Sequence, residues 1–147
     1  MVIPDVPVAR PAPSRAMLRA VAAYLARRRI IGTRVEVVGP TYREVAIRAQ
    51  IQALPGTRKT ALQQRVLDAL NGVLNALTGG PEGTGWSFGR DVYCAEILQV
   101  IDSVPCVDYV ASLALIADGC ECDPQCGNIC LAPTWLVAPG QHEIEVL

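Results

Sequence analysis

From Tyr42 onward the chain alternates. Val45, Ile47, Ala49, Ile51 and Ala53 fall on one face and Glu44, Arg48, Gln50 and Gln52 on the other. This period of two predicts a strand with one dry and one wet face. A shorter alternation precedes it over residues 33–38, where Val35 and Val37 oppose Arg34 and Glu36 ahead of Gly39-Pro40. The few residues between the two runs predict an antiparallel hairpin. The period then lengthens. Leu62, Val66, Leu67, Leu70, Val73, Leu74 and Leu77 recur three and four apart, the mark of a helix, with Thr60 and Gln63 matching a capping box. Gly72 inside it costs about 1 kcal/mol against Ala and is expected at a close-packing point.

Two further helices are predicted. Ser14 can cap one running to about Arg29, with Leu18, Val21, Ala22 and Leu25 on one face and Gly32 beyond its end; Asp91 can cap another, with Tyr93, Ile97, Val100 and Ile101 inward and Pro105 beyond it. Residues 107–116 are apolar on both faces, as in a central strand, and Pro139-Gly140 introduce a last short strand with His142, Ile144 and Val146 on one side. The class is therefore α+β: a small antiparallel or mixed sheet of about four strands, with about three helices packed mainly on one face. Val45, Ile47, Ile51, Leu62, Val66, Leu70, Leu74, Ile97, Ile101, Leu113 and Leu115 are the expected core.

Between the second and third helices lies the stretch from Gly79 to Arg90, with five glycines, one proline and no aliphatic side chain. It cannot continue a helix. Its aromatic pair, Trp86 and Phe88, is expected to anchor the loop either on its own core or on a partner. Pro4, Pro7, Pro11 and Pro13 make residues 1–14 an extended arm. The expected organisation is this arm and a single domain over 15–147, with a cysteine-rich loop at 118–133.

Composition sharpens the picture. The chain has 147 residues, 51% hydrophobic and 18% charged, with a mean hydropathy of +0.29, more apolar than an average free-standing domain. That surplus points to packed neighbours. A net charge of -1 and a pI near 5.8 give no global field for nucleic acid, and Arg27, Arg28 and Arg29 suit a helix C-terminus. No apolar run approaches the roughly 20 residues of a membrane span. The N-terminus has no signal-peptide pattern, so the chain is expected to be intracellular when made.

The single histidine, His142, is expected on an exposed strand, and nothing supplies it with a nucleophile and an orienting third group. The glycine loop lacks the Gly-Lys-Ser/Thr of a phosphate cradle. No catalytic set is expected. Cys120, Cys122, Cys126 and Cys130 crowd into eleven residues and are candidate ligands for Zn²⁺ or, less well matched, an iron-sulfur cluster. Disulfides and free thiols are the alternatives, and adjacent spacing disfavours a Cys120–Cys122 bridge. Cys94 and Cys106 are expected as buried thiols.

Several blocks carry a resemblance. Val2-Ile3-Pro4-Asp5, Arg10-Pro11-Ala12-Pro13-Ser14, the run from Tyr24 to Val35, Val38-Gly39-Pro40-Thr41-Tyr42, the run from Leu77 to Tyr93, and Val104-Pro105-Cys106-Val107-Asp108 together resemble the C-terminal part of baseplate J-like proteins. Ser87 and Cys106 stand where that pattern has Pro and Gly. Family members usually run to several hundred residues, so the chain is expected to be the C-terminal module, excised or naturally short. The resemblance implies a non-catalytic wedge subunit of a phage tail or phage-like contractile injection particle. Several copies would ring a central hub, with other wedge, hub and sheath-initiator proteins as partners. Such a protein is made in the bacterial cytoplasm and built into a particle that is released or stays cell-associated. Gly85, Trp86, Phe88 and Arg90 are then the expected contact residues. The rival reading is a small metal- or redox-binding protein built on the cysteine loop.

Overall fold

The computed structural model describes residues 1–8, 10–117 and 127–147. Its elements are α1 (Arg15–Ala26), β1 (Thr41–Ala53), α2 (Lys59–Val73), α3 (Cys94–Asp102), β2 (Val107–Ile116), β3 (Trp135–Pro139) and β4 (Glu143–Val146). They form a small α+β fold with a mixed four-stranded sheet. β1 is its centre. One edge of β1 pairs antiparallel with β2 from Ala46 to Ala53. The other edge pairs in parallel, first with β3 from Thr41 to Val45 and then with β4 from Arg48 to Ile51.

The alternation in β1 does what its period requires. Val45, Ile47, Ala49, Ile51 and Ala53 are buried, facing α2 and α3; α2 lies against β4, α3 against β2, and the two helices touch. From α2 come Leu62, Val66 and Leu70, from its C-cap Leu74, and from α3 Ile97 and Ile101, all fully buried. Leu113 and Leu115 are only half-buried against this core. β2 is an edge strand with no buried residue, so its apolar composition on both faces does not make it central.

Residues 33–38 form no strand. The strands that β1 does pair with, β2, β3 and β4, are all more than 50 residues away in sequence, so the expected hairpin is replaced by long-range pairing. The strand not foreseen is β3, where Leu136, Val137 and Ala138 are buried in succession, as in a strand covered on both faces. One cover is the N-terminal arm. The Tyr42 hydroxyl donates to Pro11 O at 2.8 Å, Arg10 pairs with Glu44, and Val2 N–H donates to Val38 O at 3.1 Å. Tyr42 and Glu44 stand opposite Leu136 and Ala138 in the ladder.

Of three predicted caps, one forms and two change hands. Ser14 does cap α1, its Oγ accepting from Met17 N–H at 3.1 Å, but the helix ends at Ala26 and buries nothing. The Thr60–Gln63 capping box does not form, because α2 begins two residues earlier, with Arg58 as its N-cap, and Gln63 Nε2 donates to Ile144 O at 2.8 Å. Asp91 accepts from Leu131 N–H at 2.9 Å, while the first amide of α3, Cys94 N–H, donates to Asn128 Oδ1 at 2.9 Å. Gly72 faces open space, not a packing contact.

Candidate functional site

The loop from Gly79 to Arg90 is a built cap on the end of α2. A helix leaves its last carbonyls without internal partners, and here Val73 O accepts from Gly80 N–H at 2.7 Å and from Trp86 Nε1–H at 2.6 Å. Trp86 N–H donates to Ala76 O at 3.0 Å. Gly85 makes this approach possible: it has φ of 97°, and a Cβ there would lie 2.7 Å from Leu77 O. Trp86 is 7% exposed and belongs to the core, so of the two expected anchors it is the one turned to its own domain. Phe88 is 36% exposed.

Arg90 closes the loop. Its guanidinium grips Glu96 with both arms, at 3.0 Å and 2.6 Å, and stands 5.0 Å from the Trp86 ring centre and 5.8 Å from that of Tyr93. The hydrogen bond to Glu96 raises the Arg90 pKa further, so the charge is permanent. The four expected contact residues are therefore together but unequal. Gly85 and Trp86 build the loop, Arg90 ties it to α3, and Phe88 with Tyr93, itself exposed, faces outward.

The second constellation is the sheet face that no helix covers. Across β2, β1 and β4, Ser112 Oγ donates to Gln50 Oε1 at 3.1 Å, Gln50 Nε2 to Glu145 Oε2 at 2.8 Å, and Arg48 Nε to Glu143 Oε2 at 2.6 Å. The Arg48 hydrogen bond holds the Glu143 carboxyl below its ordinary value. Beside this row is a cleft of about 490 Å³ lined by Arg48, Gln50, Gln63, Ser112, His142 and the β4 backbone.

His142 is not an exposed strand residue. From Val45 to Arg48 β1 takes three steps while its partner takes four, from Pro139 to Glu143, so an extra residue bulges out between β3 and β4. Gly140 passes so close that a Cβ would lie 3.1 Å from Ala46 N. In the gap, His142 Nδ1 accepts from Ile47 N–H at 3.1 Å, replacing the missing ladder carbonyl. Its Nε2 is buried without a partner, and desolvation lowers its pKa. Both ring nitrogens thus face protein. The signal for this was Pro139-Gly140, a residue without N–H followed by one without a side chain, but it reads equally well as a turn.

Of the four clustered cysteines, Cys120, Cys122 and Cys126 lie outside the described residues. Cys130 is disulfide-bonded, so a four-thiolate metal site would require the reduced protein. Cys94 and Cys106 are half-buried, not buried. In sequence the loop falls between β2 and the unforeseen β3. Its C-terminal end borrows the main core: Ile129 and Leu131 are buried, and Ile129 exchanges two 2.9 Å backbone hydrogen bonds with Val92. Among the described residues no three His, Cys, Asp or Glu side chains converge as a metal site, and no described helix is long and apolar enough to cross a membrane.

Fold and loop together define a small mixed-sheet α+β domain whose most constructed feature is a glycine-tryptophan cap presenting Phe88. No family model and no curated protein matches the chain.

Proposed function

We propose that this chain is a structural component of the baseplate wedge of a phage-tail-like contractile particle, joined to its neighbours by protein–protein contacts. The observation that carries the reading is the run from Leu77 to Tyr93, the most recognisable part of the baseplate J-like resemblance. It is also the segment in which backbone, Trp86 and Arg90 are committed to holding one loop shape. A loop so constrained presents its exposed aromatic at little entropic cost on binding, and Phe88 with Tyr93 is a fit anchor for a contact. Its partners would be other wedge, hub and sheath-initiator proteins, in several copies about a ring.

The two aromatics separate contact from fold. Trp86→Ala should lower stability by about 3–5 kcal/mol, as for a buried large aromatic. Phe88→Ala, at a side chain 36% exposed, should lower the unfolding free energy by clearly less than Trp86→Ala does and still reduce incorporation into particles. Normal incorporation of the Phe88→Ala chain would remove the loop from the contact.

A further inference from the structure

The chain is electrically divided along its length. Between Arg10 and Val35 there are seven arginines and no carboxylate, whereas after Arg90 there are nine carboxylates and no lysine or arginine. The near-zero total conceals this. Arg10 pairs with Glu44, but Arg15, Arg19, Arg27 and Arg34 meet no carboxylate among the described residues.

The basic part is also a protrusion. Pro11 is held by Tyr42, and at its other end Gly39 sits so close to Pro13 that a Cβ on it would lie 3.0 Å from the ring. Residues 14–38 therefore leave the body and return to the same root. They rise through α1, about 18 Å long at 1.5 Å per residue, and come back through Arg27 to Val38. α1 joins none of the substantial element contacts, has no buried residue and packs no side chain on the core. Near the tip Ile30 is 80% exposed and Ile31 fully so, beside a hollow lined by Ala26, Arg29 and residues 30–34. Two exposed isoleucines among arginines are a poor solvent face and a good contact face.

An opposite surface lies at the other end of β1. Asp102, at the end of α3, and Asp108, at the start of β2, are exposed and in no ion pair among the described residues. Tyr109 beside them is 53% exposed and Leu98 43%. Tyr109 pairs with Gln52, ten residues along β1 from the root at Tyr42, about 33 Å at strand rise. The arm is rooted at one end of the sheet, and at the other lies this apolar edge, where the two carboxylates outnumber the one arginine, Arg65, that reaches Pro105 O and Cys106 between them.

We propose that the arm formed by residues 14–38 docks, through Ile30, Ile31 and the Arg27–Arg29 triplet, on the Asp102, Asp108 and Tyr109 edge of a second copy of this chain. Donor and acceptor surfaces differ, so the contact is head-to-tail and can close a ring. Charge and exposure alone carry it, whether or not the particle is a baseplate.

Light scattering on the purified chain tests it. The wild type at low ionic strength should exceed the monomer mass and fall toward it in about 0.5 M salt, as screening shortens the reach of these charges. Replacing Arg27, Arg28 and Arg29 by Glu, or Asp102 and Asp108 by Arg, should each weaken association about tenfold or more, with the circular dichroism unchanged because all five side chains are exposed. Combining the two sets in one chain restores complementarity and should restore association. Ile31→Asp should abolish it. A wild type that stays monomeric at low salt, or associates regardless of both reversals, overturns the proposal. So does a monomer whose arm arginines instead retain it on duplex DNA or on phosphatidylserine vesicles. None of these results bears on whether the chain enters a particle.

Discussion

At the scale of single residues, strain and protonation are concentrated at two positions. Cys106 is the only non-glycine residue with positive φ among those described, at 79°, so a side chain occupies a backbone conformation that favours glycine. A left-handed residue costs about 1–2 kcal/mol, part of which glycine would forfeit in chain entropy. Cys106→Gly should therefore raise stability by about 0.5–1 kcal/mol in urea unfolding. No gain would mean that Arg65, which approaches both Pro105 O and the Cys106 sulfur, already offsets the strain.

His142 makes stability depend on pH. Its Nδ1 accepts Ile47 N–H only while unprotonated, and burial sets its folded pKa below the ordinary 6.5. The unfolded chain thus takes up a proton first on acidification. The stabilisation is full above about pH 6.5 and is lost as pH falls through the folded value. The charged groups around it are Arg48, Glu143 and Glu145; Glu143 is engaged by Arg48 and titrates lower still. Urea midpoints at about pH 7.5 and about pH 5.5 should differ more in wild type than in His142→Ala, which should also be weaker at neutral pH by about 1–3 kcal/mol, for an orphaned buried amide. Equal pH slopes in the two proteins would contradict the clamp.

Among the elements, what sequence showed well was periodicity backed by burial. β1 and α2 were legible because each buries one face against the other's neighbours, and nine of the expected core residues, from Val45 to Ile101, are indeed buried. Caps and pairings were not legible, since they depend on segments distant in sequence. Gln63 goes to β4, Cys94 N–H to Asn128 and Asp91 to Leu131. Residues 33–38 alternate as a strand would, yet β1 pairs with β2, β3 and β4 and not with them. The loop was legible as a glycine-rich break, but which aromatic turned inward depended on the uncapped end of α2. Leu70→Ala, in the middle of α2, should cost about 2–5 kcal/mol. A loss below about 0.5 kcal/mol would place the helix at the surface.

For the whole molecule, two outward features stand apart from the packed core: the Phe88 and Tyr93 face of the capped loop, and the basic arm. A domain with exposed isoleucines, an uncovered sheet face and a rigidly held aromatic loop has surface suited to assembly. The most direct measurement is electron microscopy of purified contractile particles from the producing cells, labelled with gold-bound antibody against this chain. A wedge subunit is predicted to place label at one end of the sheath, in several copies about the axis. Particles that carry no label, with the chain recovered wholly in the unassembled fraction, would contradict a place in the baseplate.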